Sequence, residues 1–342
     1  MKNSSLFTVF LIIPVFLAGC RNQEDWQYRF LLGTICRVKF FDRAPKSLAN
    51  DVFSRIAVLE DILSANKEDT DLDMVNKNAG IGPVKVRKEL IDVSLRALYY
   101  AEISEDENGC AVFDPTIGPL VKLWNIGSPL EQVPLETDVK DALSYVNWRA
   151  MEVDSKDQTI FLTKKNMSVD LGAIAKGYAA DEAVKIIKNA GVKSAILDLG
   201  GNIYVLGRKP DGLPFKIGVQ DPKSSRRTYI GVVSVSNMAV ITSGDYERFF
   251  EKAGIRYHHI LSTKTGHPVW NNLRSVTIVS ENSMDADALS TMAFVMGFEK
   301  GSALIDSIAG TGGIFVFNDN RVTVSESLKG IFSLNHEKNI QR

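Results

Sequence analysis

What this 342-residue chain lacks most plainly is an excess of charge: 40 Lys and Arg stand against 41 Asp and Glu. That balance, with no basic stripe interleaved with aromatics, argues against a nucleic-acid binder. Cysteine is scarce, with Cys20, Cys36 and Cys110 at spacings that match no zinc site. No Gly-x-Ser-x-Gly elbow is present, which removes the usual mark of a serine hydrolase. Repeats and low-complexity tracts are missing too. What is there is 45% hydrophobic residues, ample for the core of one large or two modest domains.

The N-terminus stands apart from that core. Lys2 precedes the apolar run "LFTVFLIIPVFL", which Pro14 interrupts and which is short for a membrane span. It ends in "LAGC", Leu17 to Cys20, which resembles a bacterial lipobox. The resemblance implies a signal peptide over 1–19, cleavage before Cys20 and lipidation of that cysteine; an ordinary signal peptide with an incidental cysteine is the alternative. Several acyl chains would hold the protein stably on a membrane of the bacterial envelope, facing the periplasm or extracytoplasmic side. Residues 20–29 read as a tether and 30–335 as the folded domain. In an oxidising compartment Cys36 and Cys110 have two readings, a disulfide or two free thiols.

Along the chain, "RFLLGTICRVKFF" reads as a strand. Leu48, Val52, Ile56, Leu59 and Leu63 recur at helical spacing and predict a helix over 46–64. A polar segment follows, then a helix over 88–104. "FDPTIGPLVKLW" reads as irregular, broken by Pro115, Gly118 and Pro119. Strands are expected at "QTIFLT" and "SVDL", a helix over 174–190 stopping at Gly191, and two strands around the Gly-Gly of "SAILDLGGNIYVLG". Further strands are expected at 215–220, 229–242, "RYHHILS" and "SVTIVS", and a last major helix at "DADALSTMAFVMG", with Asp at its start and Gly at its end. The mix is α+β, with mixed sheets and packed helices, lacking the βαβ rhythm of a doubly wound fold.

Three stretches concentrate chemistry. Asp287 and Thr291 lie four apart on the last helix and share a face. With Asp285 they fit helix capping, and equally a hard-oxygen site for magnesium with open positions for phosphate. In "VDLGAIAKGYAADEA", residues 169–183, Asp170, Gly172 and Lys176 surround a small-residue turn. The spacing is not that of a phosphate loop, and no Ser or Thr follows the lysine. Lys176 alone would read as a solvated lysine. "YHHILSTKTGHPV" holds His258 and His259, which face opposite ways in a strand, so one of them can serve as acid or base; His267 belongs to a solvent-facing turn.

The order of motifs is more specific than any one of them. "GT" at 33–34, "FDPTIGPLVKLW", "VDLGAIAKGYAAD", "LDLGGN", "TSGDYERFF", "HHILSTKTGHPV" and "DADALSTMAFVMG" together resemble the ApbE-type FAD:protein FMN transferases over about residues 30–335. The resemblance implies a T-fold-like α+β architecture with FAD, the substrate, in a cleft. It implies magnesium-dependent transfer of FMN to a threonine hydroxyl of an acceptor protein, a redox-pump or exported flavoprotein subunit, with AMP leaving. Carried over residue by residue, metal ligands fall on the Ala173 carbonyl, Asp287 and Thr291. Flavin-site positions fall on Leu32, Asn66, Val112, Phe113, Asp114, Asp170, Lys176 and Leu261. For the base, His259 comes first and Asp285 second. Two departures stand out. Asn66 occupies a position where the family commonly has an aromatic, and an amide cannot stack on a ring. Ser262-Thr263 replaces the usual Asp-Pro, so a looser turn is expected behind His259. The rival readings are a periplasmic FAD pyrophosphatase, with water as acceptor, and a flavin-binding lipoprotein without turnover.

Overall fold

The structure is a computed structural model that describes residues 26–223 and 228–335. The leader and Cys20 lie outside the described residues. Strands β1 (Gln27–Leu31) and β2 (Thr34–Phe40) form a hairpin. The expected single strand is thus two, because Leu32 and Gly33 both adopt left-handed backbone, with φ of 53° and 66°. Two such residues make the tight turn whose twist matches a hairpin. β1 also begins within the stretch read as tether.

Helix α1 (Leu48–Leu63) buries Val52, Ile56, Leu59 and Leu63, as its spacing demands. Within the polar segment, α2 (Asp71–Lys77) forms where no helix was expected, because the Thr70 hydroxyl accepts from the Asp73 amide at 2.9 Å and caps its first turn. β3 (Val84–Lys85) and α3 (Lys88–Ile103) follow. "FDPTIGPLVKLW" is not wholly irregular: α4 (Gly118–Trp124) starts inside it, with Pro119 in the first turn, where its missing N–H costs nothing. α5 (Glu136–Leu143), β4 (Met151–Asp154) and β5 (Thr159–Leu162) come next. No strand forms at "SVDL"; Ser168 makes one isolated bridge to Ile117, and the backbone then turns into α6 (Ala175–Asn189).

The second half contributes β6 (Ala195–Leu199), β7 (Asn202–Leu206), β8 (Phe215–Gln220), β9 (Tyr229–Val235) and β10 (Met238–Gly244). After β11 (Phe249–Lys252), β12 (Ile255–His258) and β13 (Leu273–Ser280) come α7 (Ser283–Met296) and α8 (Phe298–Asp306). The N-cap of α7 is Asn282 rather than an aspartate. β14 (Gly312–Phe317), β15 (Val322–Val324) and β16 (Phe332–Leu334) close the described chain.

An eight-stranded antiparallel sheet, ordered β1-β2-β6-β7-β10-β13-β14-β15, is the backbone of this α+β fold. One face packs on α1, α6, α7 and α8 around the main core. The other packs, through Val205, Val240, Val279 and Ile314, on a three-stranded sheet ordered β16-β9-β8. α7 is buried nearly all round, which is what a helix between a sheet and other helices requires. Among the described residues no helix is long and apolar enough to cross a membrane.

Candidate active site

The site grows from the joint between α6 and α7. Asp287, buried in the second turn of α7, accepts from the Gly177 amide at 2.9 Å through Oδ2. Its Oδ1 lies 3.8 Å from Lys176 Nζ. Asp181, one turn further along α6, accepts from the amides of Ser283 and Met284 at 2.9 and 2.8 Å, so α6 caps α7. Burial pushes the Asp181 carboxyl up to about 6. The helices meet this closely because position 177 has no side chain: a Cβ there would lie 2.3 Å from the Ser283 carbonyl oxygen.

The contact has a chemical consequence. Tyr178 donates to Ile174, the N-cap carbonyl of α6, so Gly177, at the third helical position, has no acceptor in the helical ladder and its amide bonds Asp287 instead. The Ala173 carbonyl, one residue before the N-cap, lies outside that ladder. One turn beyond Asp287, Thr291 Oγ1 lies 3.1 Å from Ser243 Oγ of β10, which also meets Ser290 Oγ at 2.8 Å. Among the described residues no group of three His, Cys, Asp or Glu side chains can hold a metal. A carboxylate, a carbonyl outside the helical ladder and a hydroxyl are nevertheless hard oxygen donors, and their small number leaves positions for substrate oxygens, as magnesium requires.

Asp170 shapes the preceding turn. Its Oδ1 accepts from the Gly172 amide at 2.8 Å, and its own amide donates to the Pro115 carbonyl at 2.9 Å. Burial raises its pKa, opposed by that amide and by the charges of Arg248, Lys176 and Lys122. Lys176 Nζ reaches back to the Gly172 carbonyl at 3.4 Å.

His259 follows β12. Both its amide and its Nδ1 lie on the Arg248 carbonyl, at 3.1 and 3.2 Å. A carbonyl only accepts, so Nδ1 carries the proton and Nε2 keeps its lone pair. The ring is open to solvent yet surrounded by protein on its other sides, the position of a group lining a cleft. Burial, then the charge of Arg248, pushes its pKa down to about 3, so the ring is neutral near pH 7. The Arg248 side chain is exposed; its stem runs beside Gly127 and its guanidinium beside Gly33, each within 4 Å of where a Cβ would stand. It forms no ion pair among the described residues. Two concavities elsewhere, of about 630 and 550 Å³, include none of Asp170, Lys176, His259 or Asp287 in their lining. The convergent charges, rather than cavity size, mark the site.

The ApbE family model matches residues 32–315, most of the chain. The chain belongs to the ApbE family. It is 36% identical to the FAD:protein FMN transferase of Treponema pallidum, with 96% of each chain covered. It is 34% identical to that of Klebsiella pneumoniae, over 89% of this chain and 92% of the relative. The crystal structure of the ApbE protein of Thermotoga maritima superposes with a TM-score of 0.81 at 31% identity, over 90% of this chain and 98% of that one. The flavin transferase ApbE of Vibrio cholerae gives 0.79 at 25% identity, over 90% and 98%.

In this ApbE-family chain the residues expected from sequence divide. Asp170, Ala173, Lys176, Asp287 and Thr291 converge at the α6–α7 joint, and Arg248 links them electrostatically to His259. Leu32 lies at the hairpin turn, its amide donating to Glu60 Oε1 at 2.9 Å, with Gly33 against Arg248. Glu60 also holds Lys67, next to exposed Asn66, whose side chain makes no hydrogen bond among the described residues. Leu261 is buried against Leu120 and Trp124.

Others play structural parts. Asp114 accepts from the amide and hydroxyl of Thr116 and from the Trp148 amide, so it braces a loop. Phe113 packs on Tyr100, and the Val112 amide donates to Ser104. Asp285 is no candidate base: it is salt-bridged to Arg96 of α3 at 2.7 Å, because residues two apart on a helix face nearly opposite ways. His258 donates from Nε2 to the Val269 carbonyl at 2.8 Å, which makes it the structural member of the pair. His267 is half-buried, paired with Glu136 and edge-on to Trp124, rather than simply solvent-facing. The turn behind His259 is not loose: Thr263 is buried and donates to the Ala111 carbonyl at 2.6 Å, while Ser262 closes the turn through its carbonyl and hydroxyl. Cys36 and Cys110 are free thiols, the first buried and pushed up to about 12. Sequence reasoning missed Gly177, Asp181, Ser243 and Arg248. All four fall within or beside quoted motifs, but only pairing across the fold gives them roles.

Proposed function

We propose that this chain transfers FMN from FAD to a threonine hydroxyl of an acceptor protein and releases AMP. The observation that carries the reading is the joint at which Lys176 and the Gly177 amide meet Asp287, beside an Ala173 carbonyl that lies outside the α6 ladder, in a chain whose similar relatives are named FAD:protein FMN transferases. Asp287, Thr291 and the Ala173 carbonyl would hold magnesium. Bound there, the ion would neutralise charge on the pyrophosphate.

The chain's own groups do the rest. Lys176 and Arg248 attract the anionic pyrophosphate to the cleft. His259, held by its Nδ1–H, accepts the threonine proton at Nε2. The threonine oxygen forms a bond to the phosphorus of the FMN half, the bridging P–O bond breaks, and its electron pair leaves with AMP. The negative substrate raises the affinity of His259 for that proton. Mass spectrometry of a candidate acceptor, a redox-pump or exported flavoprotein subunit, incubated with this protein, FAD and magnesium, tests the reading. An FMN adduct on threonine is expected; no adduct on any acceptor that related transferases modify overturns it.

A second reading, FAD pyrophosphatase activity, is favoured by one observation: Asn66 is exposed and unengaged where an aromatic would cover the cleft. If water enters there, Asn66→Tyr lowers acceptor-independent AMP release while keeping transfer. Stacking on the new ring, worth roughly 1–3 kcal/mol, tightens FAD binding. AMP release with and without acceptor, in both variants, decides; no acceptor-independent release in wild type removes this reading.

The same proposal places the protein on a membrane of the bacterial envelope, anchored through Cys20 and facing the extracytoplasmic side. The "LAGC" pattern supports it.

A further inference from the structure

We propose that the outward face of the β1–β2 hairpin is a lipid-contact surface that rests on the membrane carrying the anchor. The inference rests on the anchor reading given above.

Trp26, Tyr28 and Phe30 alternate, so they share one face of the strand. Phe30 lies opposite Ile35 and Tyr28 opposite Arg37, which puts all five on that face. Tyr28, Phe30 and Ile35 are 66%, 74% and 60% exposed. On the reverse face Cys36 and Val38 are fully buried in the main core. The outer face therefore carries an exposed apolar stripe, while on the reverse face β2 buries Cys36 and Val38 and β1 presents Gln27, Arg29 and Leu31.

The covering on the outer side stops short of it. The β16-β9-β8 sheet packs as far as Phe41, whose ring is 5.1 Å from that of Phe215, and as far as Ile196 on β6. Among the described residues no element covers the outer face of β1, at the sheet edge. Single exposed apolar residues are ordinary; a contiguous aromatic stripe marks a contact surface.

Chain length selects the occupant. From Cys20 to Gln27 is seven Cα steps, at most about 25 Å of extended chain. Acyl chains on Cys20 would thus keep the start of the hairpin within about 25 Å of the lipid surface whatever path the intervening residues take. Trp and Tyr suit that boundary, with an apolar ring and a polar tip. Lys39, two residues beyond Arg37 on the same face, adds a charge that attracts anionic headgroups. A second copy is a poorer fit: the three well-exposed side chains, Tyr28, Phe30 and Ile35, offer roughly 600 Å², below the ~800 Å² per partner of a standard interface. Because the hairpin ends at Leu32 and Gly33, beside Arg248, this contact would set how the cleft faces a membrane-held acceptor.

The test uses the full lipoprotein with a protease site introduced within 22–25, reconstituted in phosphatidylethanolamine–phosphatidylglycerol vesicles. After cleavage, the body is assayed by co-sedimentation for wild type and for Tyr28→Ser/Phe30→Ser. Wild type should partition to vesicles at least about tenfold more strongly than the double variant, the scale of burying one large apolar side chain, with equal thermal stability. Equal partition overturns the proposal. So does a vesicle-free dimer that the double variant abolishes, or a loss of transfer to acceptor at unchanged partition. Mass spectrometry of Cys20 reads the anchor separately: a missing lipid refutes the tether, whereas the partition of the cleaved body reports on the hairpin itself.

Discussion

Asp287 carries several roles at the α6–α7 joint. It accepts the Gly177 amide, balances Lys176 and supplies the single carboxylate of the hard-oxygen set. Supporting residues of metal sites typically cost about 10–100-fold when removed, so Asp287→Ala should lower transfer by more than about 100-fold. Near-normal magnesium-dependent FMN transfer in that variant would remove Asp287 from the site. His259 makes a different kind of prediction. Its pKa in the folded chain is about 3, below the ordinary value of 6.5. The unfolded chain therefore takes up a proton that the folded chain refuses as pH falls from about 6.5 toward 3, and stability falls with it. The His259→Gln variant lacks this loss, so its denaturation midpoint should decline less than wild type's between pH 7 and 4. Parallel declines would show that the ring titrates normally. In the free enzyme, kcat/KM should show no inflection near 6.5 from this histidine.

Among the elements, the α6–α7 joint is the working unit. Two helices approach closely because Gly177 is bare, and Asp181 and Asn282 satisfy the first amides of α7. Gly177→Ala must push α6 away from Ser283, against a backbone atom that cannot rotate aside. Overpacking of this kind costs about 1–3 kcal/mol. The displacement would also part the Gly177 amide from Asp287. Gly177→Ala should thus lower the melting temperature and cut transfer more than its stability loss explains at a temperature where it is fully folded. Wild-type kcat in the folded variant would show that the joint only packs.

For the whole molecule, one large sheet separates two environments. The helical side holds the main core and the α6–α7 joint, and the far side is closed by a small sheet except over the first hairpin. No helix among the described residues is long and apolar enough to cross a membrane, and the proposed anchor is Cys20. Replacing Cys20 with Ala should abolish lipidation and the processing before residue 20. Detergent partitioning and intact-mass measurement check this, and lipid-modified protein persisting in the variant would refute the anchor.

The sequence by itself determined what depends on local pattern and ordered motifs. The helical spacing of Leu48 to Leu63, the Gly-Gly turn between β6 and β7, the α+β class and ApbE membership were all legible, since each rests on neighbours in the chain. So were Asp170, Lys176, Asp287 and Thr291, because motif order carries them. The rest was decided by contacts between distant segments. The hairpin turn at Leu32 needed a left-handed backbone that a leucine does not advertise. Asp285 and Asp287 read alike until α3 offered Arg96 to one and α6 offered Gly177 to the other. His258 and His259 were separated only by Val269 and Arg248, and the Gly177 amide found its acceptor only across a helix joint. Local propensity sets where a side chain sits along the chain; which partner satisfies it is settled by burial, where every donor and acceptor must find one.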